Sequence, residues 1–367
     1  MPLTPGEFEY VYKYIIQAKE PEGIFGKLGN GSIDDQIKIV NKLFRKLSLD
    51  IHPDMYPDKK LKYMANEAFQ ELNRLEKEAE EKIRQGRYGT KTPTPVTNKT
   101  VVISEFEAGS SKYRIFSESI SGDYCQILMG EREDSNGVEQ VCLKISIDVG
   151  DNDLMRNEAD ILRFIQHKSL PTLLDSFSMG GRYVNVLRRI PGSDLVYVKL
   201  KFTNGLPQEH MVWVLDRLLS VLGFLHINNI IHGSIEPGNI MVIPNTHNGL
   251  LIDFVLSVAD ANTPDAVYQG VNNYTAPEIV NKSDLKPHPS ADIYSLGMSM
   301  LFVLGGDPAN QSFPKGIDPR LETFIKTLIN PDPRKRASDA WKSWHELHEL
   351  RKEIFGAANQ FLPLSIS

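Results

Sequence analysis

Apolar side chains recur three or four residues apart in the first part of the chain, which is the spacing of an amphipathic helix. The first such series follows Ser32, a suitable N-cap residue, and its apolar members are Ile37, Val40, Phe44, Leu47 and Ile51. Pro53 should end this helix, because proline disfavours helical geometry in the residue before it. A second helix is predicted from about Lys59 to Gln85. Its apolar face consists of Leu61, Met64, Ala68, Phe69, Leu72, Leu75, Ala79 and Ile83.

The pattern changes after a stretch at 89–100 that is rich in threonine, proline and lysine and is typical of a surface linker. Short runs that predict strands follow at 112–118, 124–130 and 140–147, separated by turn signals. Helical patterns dominate from residue 208 onward. This order predicts a small lobe built on a sheet, followed by a larger helical lobe.

Composition narrows the possible classes of protein. With 367 residues the chain is long enough for two domains, and 41% hydrophobic and 24% charged residues are ordinary for a soluble globular protein. The net charge of -6 gives no basic footprint for nucleic acid. Two cysteines are too few for a disulfide framework, and we see neither a signal peptide nor an apolar run of membrane-spanning length. We therefore expect a cytoplasmic protein without nucleic-acid or membrane partners.

The two predicted helices resemble the J-domain of DnaJ-type co-chaperones, because a His-Pro-Asp loop joins them and the first carries a basic face. The resemblance covers about residues 20–89 and implies an all-α helical hairpin that recruits a DnaK-type heat-shock chaperone and stimulates its ATP hydrolysis. The residues implied in chaperone binding are His52, Pro53, Asp54, Lys42, Arg45 and Lys46.

The stretch 230–242 resembles the catalytic loop of eukaryotic-type protein kinases, usually written HRDLKPEN, with its frame kept at His232, Pro237 and Asn239. Further motifs follow in the order of that family, so the resemblance implies an α+β bilobal protein kinase-like fold. They are Lys144 in a VAIK-like strand, Glu158 in helix C, a hinge after 183–190, Asp253 in a DFG-like triplet, Glu278 in an APE motif, Asp292 and Arg336.

This resemblance also implies a site for ATP with magnesium. Its nucleotide-binding residues would be Gly122, Lys144, Glu158, Leu187, Asn239 and Asp253. Asn239 and Asp253 occupy the positions of the metal ligands of the family. Leu187 occupies the gatekeeper position beside the adenine.

Several residues depart from the family pattern, and most of the changes weaken phosphoryl transfer. Ser234 replaces the catalytic aspartate, and losing a positioned base typically costs about 10²–10⁴ in rate. Glu236 replaces a lysine that neutralises the γ-phosphate, and a carboxylate within ~4 Å would repel that group by up to about 4 kcal/mol. Gly233 replaces the arginine that reads phosphorylation of the activation segment. Val255 replaces the DFG glycine, and only Gly122 is kept from the glycine-rich loop.

These patterns divide the chain into five parts. An N-terminal segment (1–19) precedes the J-domain (20–89), a linker (90–104) and the kinase-like domain (105–357). The kinase-like domain separates into an N-lobe at about 105–190 and a C-lobe at about 191–357. A C-terminal tail (358–367) follows.

Three functional hypotheses follow from the sequence. The first is a non-catalytic adaptor in which the J-domain recruits the chaperone and a pseudokinase, with or without bound ATP, binds a client or regulatory protein. The second is an atypical Ser/Thr kinase delivered to its substrates by the J-domain, with Glu236 as a surrogate base and Asp253 as a metal ligand. The third makes the His-Pro-Asp turn coincidental and the hairpin a docking element.

Overall fold

The computed structural model forms two units by its internal contacts, with the boundary between residues 98 and 99. The structure describes residues 5–18, 20–25, 28, 32–84, 88, 102–122, 124–264, 266–268, 273–281, 285–356, 364 and 366.

The first unit is helical, as its apolar spacing predicts. Its helices are α1 (Pro5–Gln17), α2 (Pro21–Phe25), α3 (Ile33–Asp50) and α4 (Lys59–Arg84). Ser32 caps α3, where its hydroxyl accepts a hydrogen bond from the Asp35 N–H at 3.2 Å. Helices α3 and α4 pack against each other, and between them Pro53–Met55 forms a 3-10 turn.

Helix α1 lies within the segment for which no structure was predicted. Its apolar side chains Phe8, Val11 and Ile15 are buried, and the helix packs on α4. The ring of Phe8 contacts that of Tyr56 with centroids 4.3 Å apart. The spacing of three and four residues between these side chains is the signal that would have predicted the helix.

The second unit begins with an antiparallel six-stranded sheet in the order β1-β2-β3-β4-β6-β5. Its strands are β1 (Val102–Ala108), β2 (Ser111–Ser121), β3 (Cys125–Asp134), β4 (Gly137–Ser146), β5 (Leu173–Met179) and β6 (Arg182–Arg188). Strand β1 starts within the predicted linker 90–104, and the rest of that linker, residues 90–101, lies outside the described residues. Helix α5 (Asn152–Phe164) packs against β4, β5 and β6.

The larger lobe is mainly helical, so the predicted order of a sheet followed by helices is confirmed. Its helices are α6 (Leu195–Lys201), α7 (Gln208–Ile227), α8 (Pro277–Val280), α9 (Pro289–Val303), α10 (Pro319–Leu328) and α11 (Ala340–Phe355). A small sheet of β7 (Ser193–Asp194), β8 (Ile240–Ile243) and β9 (Asn248–Leu251) lies beside them. Helix α7 is apolar and long enough to cross a membrane by composition alone, but it packs against α9, α11 and β9, and 72% of its apolar window is buried.

The predicted C-terminal tail contributes to the core of this lobe. Leu364 is 7% exposed and belongs to the same apolar cluster as α7 and α9, and Ile366 packs against that cluster. At least part of 358–367 therefore has a structural role that the sequence pattern did not predict.

Candidate functional site

The centre of the site is a buried lysine held between two carboxylates. Lys144 lies on β4, and its Nζ is 2.6 Å from Oε1 of Glu158 on α5 and 2.7 Å from Oδ1 of Asp253. The side chains of Lys144 and Glu158 are 5% and 0% exposed, whereas that of Asp253 is 39% exposed. The two buried charges are paired, which offsets part of the cost of placing them in the core.

The electrostatics of this group favour the charged forms of Lys144 and Asp253. Burial lowers the pKa of Lys144, but the Asp253 and Glu158 carboxylates outweigh burial and hold that pKa above its usual value. Burial raises the pKa of Asp253, but the attraction of Lys144 exceeds this effect and lowers the pKa overall. Lys144 is therefore cationic at neutral pH and is available to pair with phosphate oxygens.

Asp292, at the start of α9, holds the backbone of the catalytic loop by hydrogen bonds. The carboxylate accepts the N–H groups of His232 and Gly233 at 2.9 and 3.0 Å and pairs with His226 Nε2 at 3.0 Å. Gly233 has φ +74, and a Cβ there would lie 3.0 Å from the carbonyl oxygen of Leu256. The residue that replaces the family arginine thus occupies a left-handed backbone position that favours glycine.

His232 connects this loop to the segment that carries Asp253. Its Nε2 donates to the Ile252 carbonyl at 3.1 Å, and its Nδ1 accepts the Ser234 N–H at 3.3 Å. These roles require the neutral tautomer, and burial lowers the pKa of this histidine, which favours the neutral form. The fully buried ring of Phe254 meets the imidazole edge-on with centroids 4.7 Å apart.

Ser234 sits in the frame that would hold an aspartate. The amide Nδ2 of Asn239 donates to the Ser234 carbonyl at 2.9 Å and contacts its hydroxyl at 3.3 Å. Glu236 is partly buried, and its Oε1 lies 3.8 Å from where a Cβ on Gly238 would be. The loop backbone is therefore formed without the base that the family uses.

The donor set of Asn239 and Asp253 fits a magnesium ion. The Ile252 N–H donates to the Asn239 carbonyl at 3.0 Å, so these residues lie side by side where the chain leaves β9. The amide nitrogen of Asn239 donates to the Ser234 carbonyl. The amide oxygen of Asn239 therefore points away from Ser234. Carboxylate and amide oxygens are ligands that magnesium accepts. The bound ion would neutralise phosphate charge.

The glycine-rich loop between β2 and β3 contacts the DFG-like triplet 253–255 in one small apolar cluster. Gly122 connects β2 to β3, and its N–H donates to the Cys125 carbonyl at 2.8 Å. The side chains of Cys125, Met155 and Val255 are buried together. Burial raises the pKa of the Cys125 thiol to about 12, so the thiol is protonated and behaves as an apolar group. Cys125 and Val255, which both depart from the family pattern, thus pack in one cluster. They lie 130 residues apart in the sequence, so the sequence pattern did not predict this contact.

Arg336 contacts Glu278 as the resemblance implies, whereas the gatekeeper role of Leu187 stays a prediction. Leu187 is 7% exposed and lies opposite Cys142 in the pairing of β4 with β6. Arg336 makes a bidentate contact with Glu278 at 2.7 and 2.9 Å, and its side chain is fully buried. Its Nε also donates to the Asn330 carbonyl at 2.7 Å, so the pair attaches the APE motif, where the activation segment ends, to the larger lobe.

In the first unit, the His-Pro-Asp sequence forms the turn between α3 and α4. The ring of His52 packs edge-on against Phe69, and its Nδ1 accepts the Asp54 N–H at 3.3 Å. The side chain of Asp54 is 79% exposed. Lys42 and Arg45 are exposed on α3, whereas the side chain of Lys46 lies outside the described residues.

Asn185 is a buried residue beside the Lys144–Glu158 pair that the sequence pattern did not predict. It lies directly opposite Lys144 in the pairing of β4 with β6 and donates to Oε2 of Glu158 at 2.9 Å. An asparagine inside the otherwise apolar run VNVL is the signal that would have pointed to a buried polar contact.

Comparison with known proteins matches residues 121–350, well over half of the chain, to the protein kinase domain family. Mitogen-activated protein kinase kinase kinase 5 of Homo sapiens is 26% identical over 208 residues, which are 50% of this chain and 15% of that protein. Serine/threonine-protein kinase D of Synechocystis sp. is 28% identical over 234 residues, 58% of this chain and 44% of that protein. The chain therefore spans less than half the length of these relatives, and the family match leaves out its N-terminal unit. The chain belongs to the protein kinase family.

Proposed function

We propose that the second unit binds ATP with magnesium and transfers the γ-phosphate slowly to protein hydroxyl groups. The observation that carries this proposal is the contact of Lys144 with both Glu158 and Asp253 at 2.6 and 2.7 Å. In protein kinases the corresponding lysine binds the α- and β-phosphates, and the corresponding glutamate pairs with that lysine and holds it in place. Both similar proteins described above are named as kinases, and the Synechocystis relative as a serine/threonine-protein kinase. These names favour Ser or Thr as the acceptor.

The slow step is proton removal from the acceptor hydroxyl. Ser234 has no group with a suitable pKa to act as the base, and this loss costs about 10²–10⁴ in rate. Positioning and charge stabilisation carry most of phosphoryl transfer, so a residual rate is compatible with the loss. The partly buried Glu236 places a negative charge in the same loop and weakens the site further if it faces the γ-phosphate.

ATP binding is tested by thermal denaturation with and without magnesium. At an ATP concentration 100 times the Kd, we expect a stabilisation of about 2.7 kcal/mol, because ATP binds only the folded unit. This corresponds to a rise of roughly 5–10 °C in Tm. Asp253→Asn should remove the magnesium-dependent part of the rise, since it removes the charged metal ligand.

Asp260→Asn is the matched control, because Asp253 and Asp260 both have positive φ values, which asparagine tolerates. This variant should bind as the wild type does. If millimolar ATP with magnesium leaves the Tm of the wild type unchanged, the proposal of a nucleotide site is wrong.

We also propose a second function, in which the first unit recruits a DnaK-type chaperone. The observation that favours it is the placement of His52 and Asp54 at an exposed turn, with Lys42 and Arg45 exposed on the preceding helix. Basic side chains steer association with an acidic surface. Proline at 53 restricts the turn that presents its two polar neighbours. This proposal rests on the hairpin alone.

For this function we expect His52→Gln to reduce stimulation of a purified DnaK-type chaperone's ATPase to the rate of the chaperone alone. The side chain of His52 is 45% exposed, so losing its edge-on contact with Phe69 should leave the fold of the unit intact. Lys77→Gln, an exposed substitution further along α4, is the control and should stimulate as the wild type does. Full stimulation by His52→Gln, or none by the wild type, would contradict this second function.

A further inference from the structure

Three asparagine side chains connect helix α5 to its surroundings, and the most buried is Asn185 on β6. Its Nδ2 donates to the backbone carbonyl of Met155 and to Oε2 of Glu158, both at 2.9 Å. Asn185 is 0% exposed. A single amide group therefore holds the backbone of α5 and orients the carboxylate that pairs with Lys144.

Asn152 fixes the beginning of the same helix. Its Oδ1 accepts hydrogen bonds from the Ser146 hydroxyl at 2.7 Å and from the Tyr183 N–H at 2.8 Å. Its Nδ2 donates to the Gly181 carbonyl at 2.9 Å. These bonds join α5 to the end of β4 and to the start of β6.

Asn157 joins the helix to the segment after Asp253. Its Nδ2 donates to the Ser257 carbonyl at 2.8 Å, and the Ser257 hydroxyl donates to the His232 carbonyl at 2.8 Å. A continuous series of hydrogen bonds thus runs from α5 through the activation segment to the catalytic loop. Hydrogen bonds of this kind are stronger in a buried environment than in water.

The carboxylate of Glu158 is held from three directions. Its Oε1 accepts from Lys144 Nζ at 2.6 Å and from the Phe254 N–H at 3.1 Å, and its Oε2 accepts from Asn185. The remaining atom of the amide, Oδ1 of Asn185, is buried without a hydrogen-bond partner. A buried polar atom without a partner is costly, and a leucine would avoid that cost. An asparagine at position 185 therefore orients the Glu158 carboxylate at a cost in folding stability.

From these contacts we infer that Asn185 is a positioning residue which, with Asn152 and Asn157, keeps α5 in the position where Glu158 pairs with Lys144. The paired state is then formed before nucleotide binds and without a phosphate on the activation segment. Gly233 stands where the family has an arginine that binds such a phosphate. In this protein the asparagine hydrogen bonds would hold α5 in place permanently, and phosphorylation would not control its position. The effect of this attachment on ATP affinity rests on the proposed function.

The test compares Asn185→Leu with the wild type by hydrogen–deuterium exchange in the absence of nucleotide. Leucine keeps the branching of asparagine and removes its amide. We expect the amides of α5 to exchange at least tenfold faster in the variant, with α9 unchanged, because local opening controls exchange. ATP should bind about tenfold more weakly, as expected for the loss of one hydrogen bond to a buried charge.

Asn228→Leu is the matched control, since the Asn228 amide donates to the Phe224 carbonyl at 2.8 Å near the end of α7. It should change neither the exchange of α5 nor the ATP affinity. If Asn185→Leu does not fold, Asn157→Leu, at a partly buried site, should accelerate exchange in α5 and in residues 255–258.

Phosphatase treatment of the wild type provides an independent measurement. We expect unchanged protection of α5 after treatment. Faster exchange of α5 in dephosphorylated wild type, or wild-type exchange in a folded Asn185→Leu protein, would overturn the inference. A wild type that shows protected α5 but no ATP binding would refute the proposed function while supporting the attachment of the helix.

Discussion

Ser234→Asp should raise phosphate transfer to a serine-containing peptide by about 10²–10⁴, because it supplies a positioned base. The frame for this residue is already formed, since the Ser234 backbone donates to His232 and accepts from Asn239. Adding Glu236→Lys should increase the rate further by removing a repulsion of up to about 4 kcal/mol, the value for charges ~4 Å apart at an effective dielectric of 20. The measurement is incorporation of radioactive phosphate at saturating ATP.

Two controls separate chemistry from binding. Ser234→Asn has nearly the shape of Ser234→Asp but no charge, so it should transfer phosphate no faster than the wild type. Glu236→Gln determines the role of that carboxylate, because the rate should rise if Glu236 repels the γ-phosphate and fall if it acts as the base. A Ser234→Asp protein that binds ATP normally and gains no activity would show that the missing base does not limit the rate.

Arg336→Leu should destabilise the larger lobe by about 3–5 kcal/mol, because it leaves a buried carboxylate without its partner. The side chain of Glu278 is only 12% exposed, and Arg336 also donates to the Asn330 carbonyl and lies 4.7 Å from the ring centroid of Tyr294. Unfolding in urea can be followed by tryptophan fluorescence. The only three tryptophans of the chain, Trp213, Trp341 and Trp344, all belong to this lobe.

Arg334→Leu is a control two residues away. Arg334 also pairs with a carboxylate, that of Asp332 at 3.0 Å, but its side chain is 88% exposed. Exposed ion pairs contribute about 0–1 kcal/mol, so this variant should unfold at nearly the same urea concentration as the wild type. Equal losses for the two variants would show that burial does not govern the energetics of this pair.

Local signals account for the parts of the fold that the sequence predicted. Ser32 and the apolar spacing after it define the start and the buried face of α3, because capping and periodicity act within a few residues. The same holds for the order of strands and helices in the second unit. Motifs with fixed order identified Lys144, Glu158 and Asp253, and the structure brings these three side chains together.

The features that were missed depend on contacts between distant parts of the chain. The burial of Cys125 with Val255 and the bond from Asn185 to Glu158 are set by how strands and helices pack, which spacing does not encode. Helix α1 is a different case. Its buried side chains Phe8, Val11 and Ile15 follow helical spacing, so a local signal for this helix is present in the sequence.

The backbone conformation at Gly233 determines which substitutions in the catalytic loop this fold accepts. One substitution at Ser234 would introduce an acidic base, since the backbone there already donates to His232 and accepts from Asn239. Introducing an arginine at 233 would strain the backbone, because φ is +74 and a Cβ would lie 3.0 Å from the Leu256 carbonyl oxygen. A descendant could therefore acquire faster phosphate transfer more readily than control by phosphorylation of the activation segment, and the activity of such an enzyme would not depend on that phosphorylation.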